Sequence, residues 1–164
     1  SRQALYLHFP ARAELLIATP RHIDEKKNIE ARLASSRNAE TGIDRLNAYI
    51  EAWGNYIPEI HGVARALMAL QDSDAAAKLA WEDRMHAVRE GCEAAIKALR
   101  NDGVLSSDYT ISKATDILWA MLSVGQWELL TVTCGWSQSQ YIKLTKVIAC
   151  RTLLNQQTYQ MSRN

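Results

Sequence analysis

Ser1-Arg2-Gln3-Ala4-Leu5-Tyr6-Leu7-His8-Phe9-Pro10-Ala11-Arg12-Ala13-Glu14-Leu15-Leu16 opens the chain and decides how the rest is read. As elements, it is a short helix over about Arg2 to His8, a tight break, and a second helix that Pro10 opens, where the missing amide of proline costs nothing. Leu15 and Leu16 are spaced to pack back on Leu5 and Phe9. The polar residues are those a groove-reading helix uses. Arg2 and Gln3 can pair with base edges, while Tyr6, His8 and Arg12 can reach phosphates. Taken alone, the segment is an amphipathic corner.

Working outward, strand signals are nearly absent: no alternation is sustained, and the three prolines and seven glycines punctuate segments of helical period. The chain reads as all-α. The helix opened by Pro10 runs towards Lys27 and is interrupted at Pro20. Asn38, with Glu40 in the first turn, is expected to start a helix through Leu46 and Tyr49 to Trp53, stopped by Gly54 and Pro58. Pro58 then opens a short helix ending near Leu70. Asp72 caps a long helix to Arg100, with Asn101-Asp102-Gly103 as its exit. Two more helices are expected, Ile111 to Thr133 after a Thr110 cap, and Gln138 to Gln156 after Ser137. Ser137 and Gln140 form a capping box, and Gly135 supplies the preceding stop. These last two helices should be antiparallel neighbours.

The totals exclude several classes. At 164 residues, 48% hydrophobic and 23% charged, the chain is long and apolar enough to bury a core, which argues against intrinsic disorder. Nineteen Lys and Arg against eighteen Asp and Glu leave a net charge of +1, so overall charge is silent about nucleic acid. The three cysteines, Cys92, Cys134 and Cys150, lack C-x-x-C spacing, which argues against a disulfide framework or a zinc site and suits a reducing cytoplasm. No run reaches the roughly 18 apolar residues of a membrane span, and Ser1-Arg2-Gln3 lacks the look of a signal peptide. A cytoplasmic location is expected.

The string Leu5-Tyr6-Leu7-His8-Phe9, followed by Arg12 and Leu15, resembles the recognition-helix signature of the TetR family of transcriptional regulators. The resemblance implies that Ser1, Arg2 and Gln3 face the major groove, that Tyr6 and His8 touch the phosphate backbone, and that Arg12 adds a phosphate contact. Ala4 stands where the family often has Thr, so one hydroxyl contact is missing. A helix-turn-helix also needs a preceding helix to hold its reader in the groove, and none stands before Ser1 here. Residues 1–20 are therefore read as the remnant of a DNA-binding domain and 21–164 as a ligand-binding and dimerisation domain. Gly103-Val104-Leu105, Ala114, Asp116, Leu118-Trp119-Ala120, Gly135-Trp136-Ser137 and Tyr141 are similar to the C-terminal half of one TetR subgroup, where such helices form the dimer.

Periodicity supports a buried C-terminal hairpin independently. Ile117, Val124 and Trp127 on one helix, and Tyr141, Leu144, Val147, Ile148 and Leu154 on the next, help to make both apolar on nearly all sides. Such helices must be covered on nearly all sides, and a second copy is the economical cover. The expectation is a four-helix homodimer interface containing those eight residues. A pocket for a small effector, apolar or aromatic, is expected among Trp53, Tyr56, His61, Met68, Trp81, Met85, His86, Trp119 and Met121, because aromatics with methionines line adaptable pockets.

Glu82, Asp83 and His86, with Cys92, are too weakly spaced for a metal, since Glu82 and His86 form an ordinary one-turn pair. No cofactor or metal is expected. G-x-S-x-G, Walker, H-E-x-x-H and G-x-G-x-x-G motifs are absent, so the chain is not expected to be an enzyme. The functional expectation is a repressor that binds operator DNA as a homodimer and is released by a small effector. The competing expectation is a helical interaction or assembly module with neither DNA nor ligand.

Overall fold

The structure, a computed structural model, describes His22 and residues 28–161. The expected helix over Arg2 to His8, that over Pro10 to Lys27 apart from His22, and the DNA-contact residues Ser1, Arg2, Gln3, Tyr6, His8 and Arg12 lie outside the described residues. Within them the chain is all-helical: α1 (Ile29–Arg37), α2 (Gly42–Leu70), α3 (Ala75–Asn101), α4 (Ile111–Met121), α5 (Val124–Glu128), α6 (Gln138–Leu153) and α7 (Gln156–Met161). A π-helical turn, Leu129–Thr133, continues α5. The described residues form no strand, only one antiparallel bridge between Leu105 and Leu154.

Local chemistry sets most of the boundaries. Thr110 and Ser137 cap α4 and α6, and Ser137 forms the expected reciprocal box with Gln140, with bonds of 3.2 and 2.8 Å. Gly103 and Gly135 adopt the left-handed backbone that ends a helix cheaply, at φ 71° and 73°. The cap of α3 is Asp74 rather than Asp72; its carboxylate accepts from the amides of Ala76 and Ala77. The helix expected from Asn38 starts instead after Thr41, whose hydroxyl accepts from the Asp44 amide.

The helix expected from Gln138 to Gln156 ends at Leu153, where Leu154 turns extended, and α7 follows. Two larger corrections concern the middle of the chain. First, α2 runs without a stop through Gly54 and Pro58. Proline has no amide to offer the carbonyl four residues earlier, which here is Gly54. Gln138 on α6 fills that vacancy, its Nε2 donating to the Gly54 carbonyl at 2.8 Å. Second, the helix expected from Ile111 to Thr133 breaks at Leu122 and Ser123, where the Ser123 hydroxyl caps α5 by accepting from the Gln126 amide. Trp53, on α2, donates its indole N–H to the freed Leu122 carbonyl at 2.9 Å.

The core lies along α2, the central rod. Its neighbours are α1, α3, α5 and α6. Leu46, Ile50, Tyr56 and Ile57 from α2 meet Cys92, Ile96 and Leu99 of α3, Leu118 of α4, and Tyr141 and Leu153 of α6, all buried. Gly42 lets the start of α2 touch the backbone at the end of α3. A Cβ there would stand 2.6 Å from the Leu99 nitrogen. Asp102 locks the same junction by accepting from the Gly42 amide.

Candidate functional site

A cavity of about 430 Å³ lies between α1, α2 and α3. Helix α1 forms one wall, contributing Ile29, Leu33 and Ser36; α2 contributes Arg45, Tyr49 and Trp53; α3 contributes Arg84, Val88 and Gly91. These positions follow from helical period. Residues 45, 49 and 53 are successive turns of α2, and 84, 88 and 91 are successive turns of α3. Asn28 starts α1 from a left-handed conformation, φ 52°, its side chain accepting from the Ala31 amide. The wall is clipped down by the Ser36 hydroxyl donating to the Arg45 carbonyl at 3.0 Å, by the Arg32–Glu59 ion pair at 2.7 Å, and by Arg32 lying over the Tyr56 ring.

The floor is aromatic. The hydroxyl end of the Tyr49 ring lies against Gly91, which has no Cβ to hold it off, and donates to the Val88 carbonyl at 2.8 Å. Burial pushes the Tyr49 phenol well above its usual value, and the neighbouring Cys92 adds to the shift. Burial likewise drives the Cys92 thiol up to about 12. Both groups are therefore neutral at physiological pH. Trp53 is buried, and the Arg84 guanidinium sits 5.7 Å from its ring centroid, within cation–π range. At the rim, Arg37 pairs with Glu30 through two hydrogen bonds, which holds the Glu30 carboxyl below its usual range.

Of the nine side chains expected to line a pocket, only Trp53 borders this cavity. Tyr56 is fully buried in the core, and Met68, Trp81, Met85, Trp119 and Met121 are half-buried against that core. His61 meets the edge of Trp127 at 4.8 Å between ring centroids and lies 3.5 Å from a Glu128 oxygen, too long for a hydrogen bond. His86 is exposed and faces Glu90. The expected residues lie on α2, α3 and α4, whereas the cavity is bordered by α1, α2 and α3; most of the aromatics and methionines pack with the core. The stripe Arg45-Tyr49-Trp53, polar at one end and aromatic at the other, was the signal that could have found the cavity.

The eight residues expected at a dimer interface also divide. Val124, Trp127, Tyr141 and Leu154 are buried within this chain. Trp127 is held by its indole N–H, which donates to the Gln138 side-chain oxygen at 2.8 Å. Trp127 meets His61 of α2, Tyr141 lies against Gly54 of α2, and Leu154 bridges to Leu105. Ile117 and Leu144 are half-buried, and Val147 and Ile148 are exposed. The most exposed apolar residues nearby were not foreseen: Leu129 at 55% and Val132 at 59%, both on the π-helical turn. That turn widens the helix by one residue and swings them out of the core register.

Among the described residues, no group of three or more His, Cys, Asp or Glu is placed to hold a metal ion. No described helix is long and apolar enough to cross a membrane. Comparison with protein-family models, curated proteins and solved structures gives no match to this chain.

Proposed function

We propose that this chain is the effector-sensing and dimerising body of a TetR-like transcriptional regulator, a repressor that binds operator DNA as a homodimer and releases it when a small molecule with an apolar or aromatic body enters. The observation that carries this reading is the cavity beneath α1. Its wall, α1, lies C-terminal in the chain to the recognition-type segment Leu5-Tyr6-Leu7-His8-Phe9. An occupant pressing on Ile29 and Leu33 acts on the element that leads to the DNA reader.

Operator half-sites lie about one helical turn, roughly 34 Å, apart, so a small pivot of α1 in each protomer is enough to spoil the fit. The effector works by preferring the arrangement that does not match, which is a shift between populations. The exposed Leu129 and Val132, with Val147 and Ile148 on α6, offer the apolar surface that a second copy would cover.

The test is selection from a random duplex pool with the full-length gene product. The expected result is an enriched inverted repeat with half-sites one turn apart, lost on Tyr6→Ala with His8→Ala. A pool that stays random overturns the repressor reading. It would leave the interaction-module reading, which the exposed apolar turn at Leu129 and Val132 favours.

A further inference from the structure

We infer that His61 of α2 and Glu128 at the end of α5 form a proton-operated latch: when the imidazole takes up a proton it binds the Glu128 carboxylate and fixes the π-helical turn that begins at the next residue. The latch goes beyond the repressor reading. It lies on the opposite side of α2 from α1, since Glu59, which pairs with Arg32 of α1, and His61 are two residues apart on one helix.

The His61 Nε2 is buried, has no hydrogen-bond partner among the described residues, and stands 3.5 Å from the Glu128 Oε1. Arg65, one turn further along α2, approaches the same oxygen, its Nε at 3.4 Å. That oxygen therefore has two nitrogen neighbours just beyond ordinary hydrogen-bond distance. The two are not equivalent. The Arg65 side chain is 65% exposed, so water screens its pull. The His61 side chain is 19% exposed, so a charge gained there meets Glu128 with less screening. From α5 the ionisable group facing His61 is Glu128, and from α2 itself Arg65. The π-helical turn, Leu129–Thr133, has no ionisable side chain, and α6 meets this corner with the neutral Gln138. Helix α3 approaches this end of α2 at Leu67, through Ala77 and Ala80, where Lys78 and Glu82 pair with each other at 3.8 Å.

A neutral ring offers the carboxylate little at that separation. A bare Nε2 sets two acceptors face to face, and an Nε2–H on the neutral ring lies too far off to bond. With both ring nitrogens protonated, Nε2–H becomes a charged donor, and a closure of roughly half an ångström makes a charge-assisted hydrogen bond. Trp127, the residue before Glu128, is already held, edge-on to His61 and bonded to Gln138. Proton uptake adds a second anchor where the π-helical turn starts, and that turn carries the exposed Leu129 and Val132. Carboxylates ordinarily stay ionised over the range in which imidazoles change charge, about pH 5 to 8. The bond is therefore present on the acid side of that range and lost as pH rises through it.

Amide hydrogen exchange of the whole chain, corrected for the intrinsic effect of pH, tests the latch. Protection over Leu129–Thr133 should rise at least about threefold from about pH 8 to about pH 5.5. His61→Gln and Glu128→Gln should each abolish that rise, whereas Arg65→Gln should keep it. On the unaltered protein, ring-nitrogen NMR should show His61 gaining its charge over the same pH range in which the turn tightens, which decides the outcome even where a variant fails to fold. Protection that stays flat across the range overturns the latch. So does a rise that survives His61→Gln or vanishes in Arg65→Gln, and so does a turn that tightens while His61 is still neutral. The repressor reading is judged separately, by selection from the duplex pool, and neither result decides the other.

Discussion

Where α2 meets α6, Ile142 lies against Gly54, the Gln138 amide fills the hydrogen bond that Pro58 vacates, and Lys146 pairs with Glu51 at 2.6 Å. Where the same helix faces α1 and α3, Arg45, Tyr49 and Trp53 border an open cavity with two arginines in its lining. One side is closed by a glycine at the contact and by a side-chain amide that takes up the carbonyl left open by proline. The other keeps its charges half-buried and its space unfilled. Packing to full density is what a permanent contact requires, and a site for a changing occupant forgoes it. Trp53 belongs to both sides: its ring floors the cavity, while its N–H holds the break between α4 and α5.

The contrast breaks most readily at the closed contacts. Gly42→Ala is expected to cost most, about 3 kcal/mol, because its Cβ would meet the backbone of Ala98 and Leu99, which cannot swing aside as a side chain can. Urea unfolding reads this directly, and a loss below about 0.5 kcal/mol would show that the α2–α3 junction is looser than drawn. Gln138→Ala should cost about 2 kcal/mol, since it strands both the Gly54 carbonyl and the Trp127 indole N–H. A double-mutant cycle sharpens that result. Pro58→Ala returns an amide to the Gly54 carbonyl, so Gln138→Ala should cost about 1 kcal/mol less in that background.

On the cavity side the effects should shrink. Gly91→Ala places a Cβ 2.5 Å from two carbons of the Tyr49 ring, but alanine recovers up to about 1 kcal/mol of helix propensity, leaving a net cost of about 1 kcal/mol. Its sharper consequence is a changed tryptophan emission as Tyr49 is pushed towards Trp53. Alkaline pH should act through Cys92, whose ordinary value of 9.0 is raised to about 12 by burial. The folded state holds the thiol proton more tightly than the unfolded state. This contribution is complete below about pH 9 and is lost as pH rises towards about 12. Urea midpoints should therefore fall above about pH 9, less steeply in Cys92→Ala, with the remainder set by the likewise raised Tyr49 and Tyr141. Arg45→Gln should be smallest, within about 0.5 kcal/mol, because it changes a half-buried side chain at an open cavity while the bond from the Ser36 hydroxyl goes to the Arg45 backbone carbonyl and is kept.

Much of the frame was legible where its cause is local. The Ser137–Gln140 box, the Thr110 cap and the glycines at 103 and 135 depend on residues a few positions apart, and the chain states them outright. The passage of α2 through Pro58 depends on Gln138, 84 positions away from Gly54, and the break at Leu122 is held by Trp53, 69 positions away. No local pattern announces such partners. Helix α1 escaped notice for a related reason. Its only large apolar residues are Ile29 and Leu33, one turn apart, which pack on the edge of the core beside the cavity and make too short a stripe to announce a helix.

The sequence by itself determined that this chain is helical, that α4 and α6 begin after Thr110 and Ser137, that α3 ends before Gly103, and which residues are apolar enough to be buried, because caps, glycine conformations and apolar period act within a few turns. Only the tertiary structure decided which buried residues face a cavity and which face the core. Tyr49 and Tyr56 are both tyrosines of α2, seven residues apart, and nothing in their own chemistry separates them. The difference is what stands opposite: α1 and Gly91 open space beside the first, and the Trp53 ring and core side chains close in on the second.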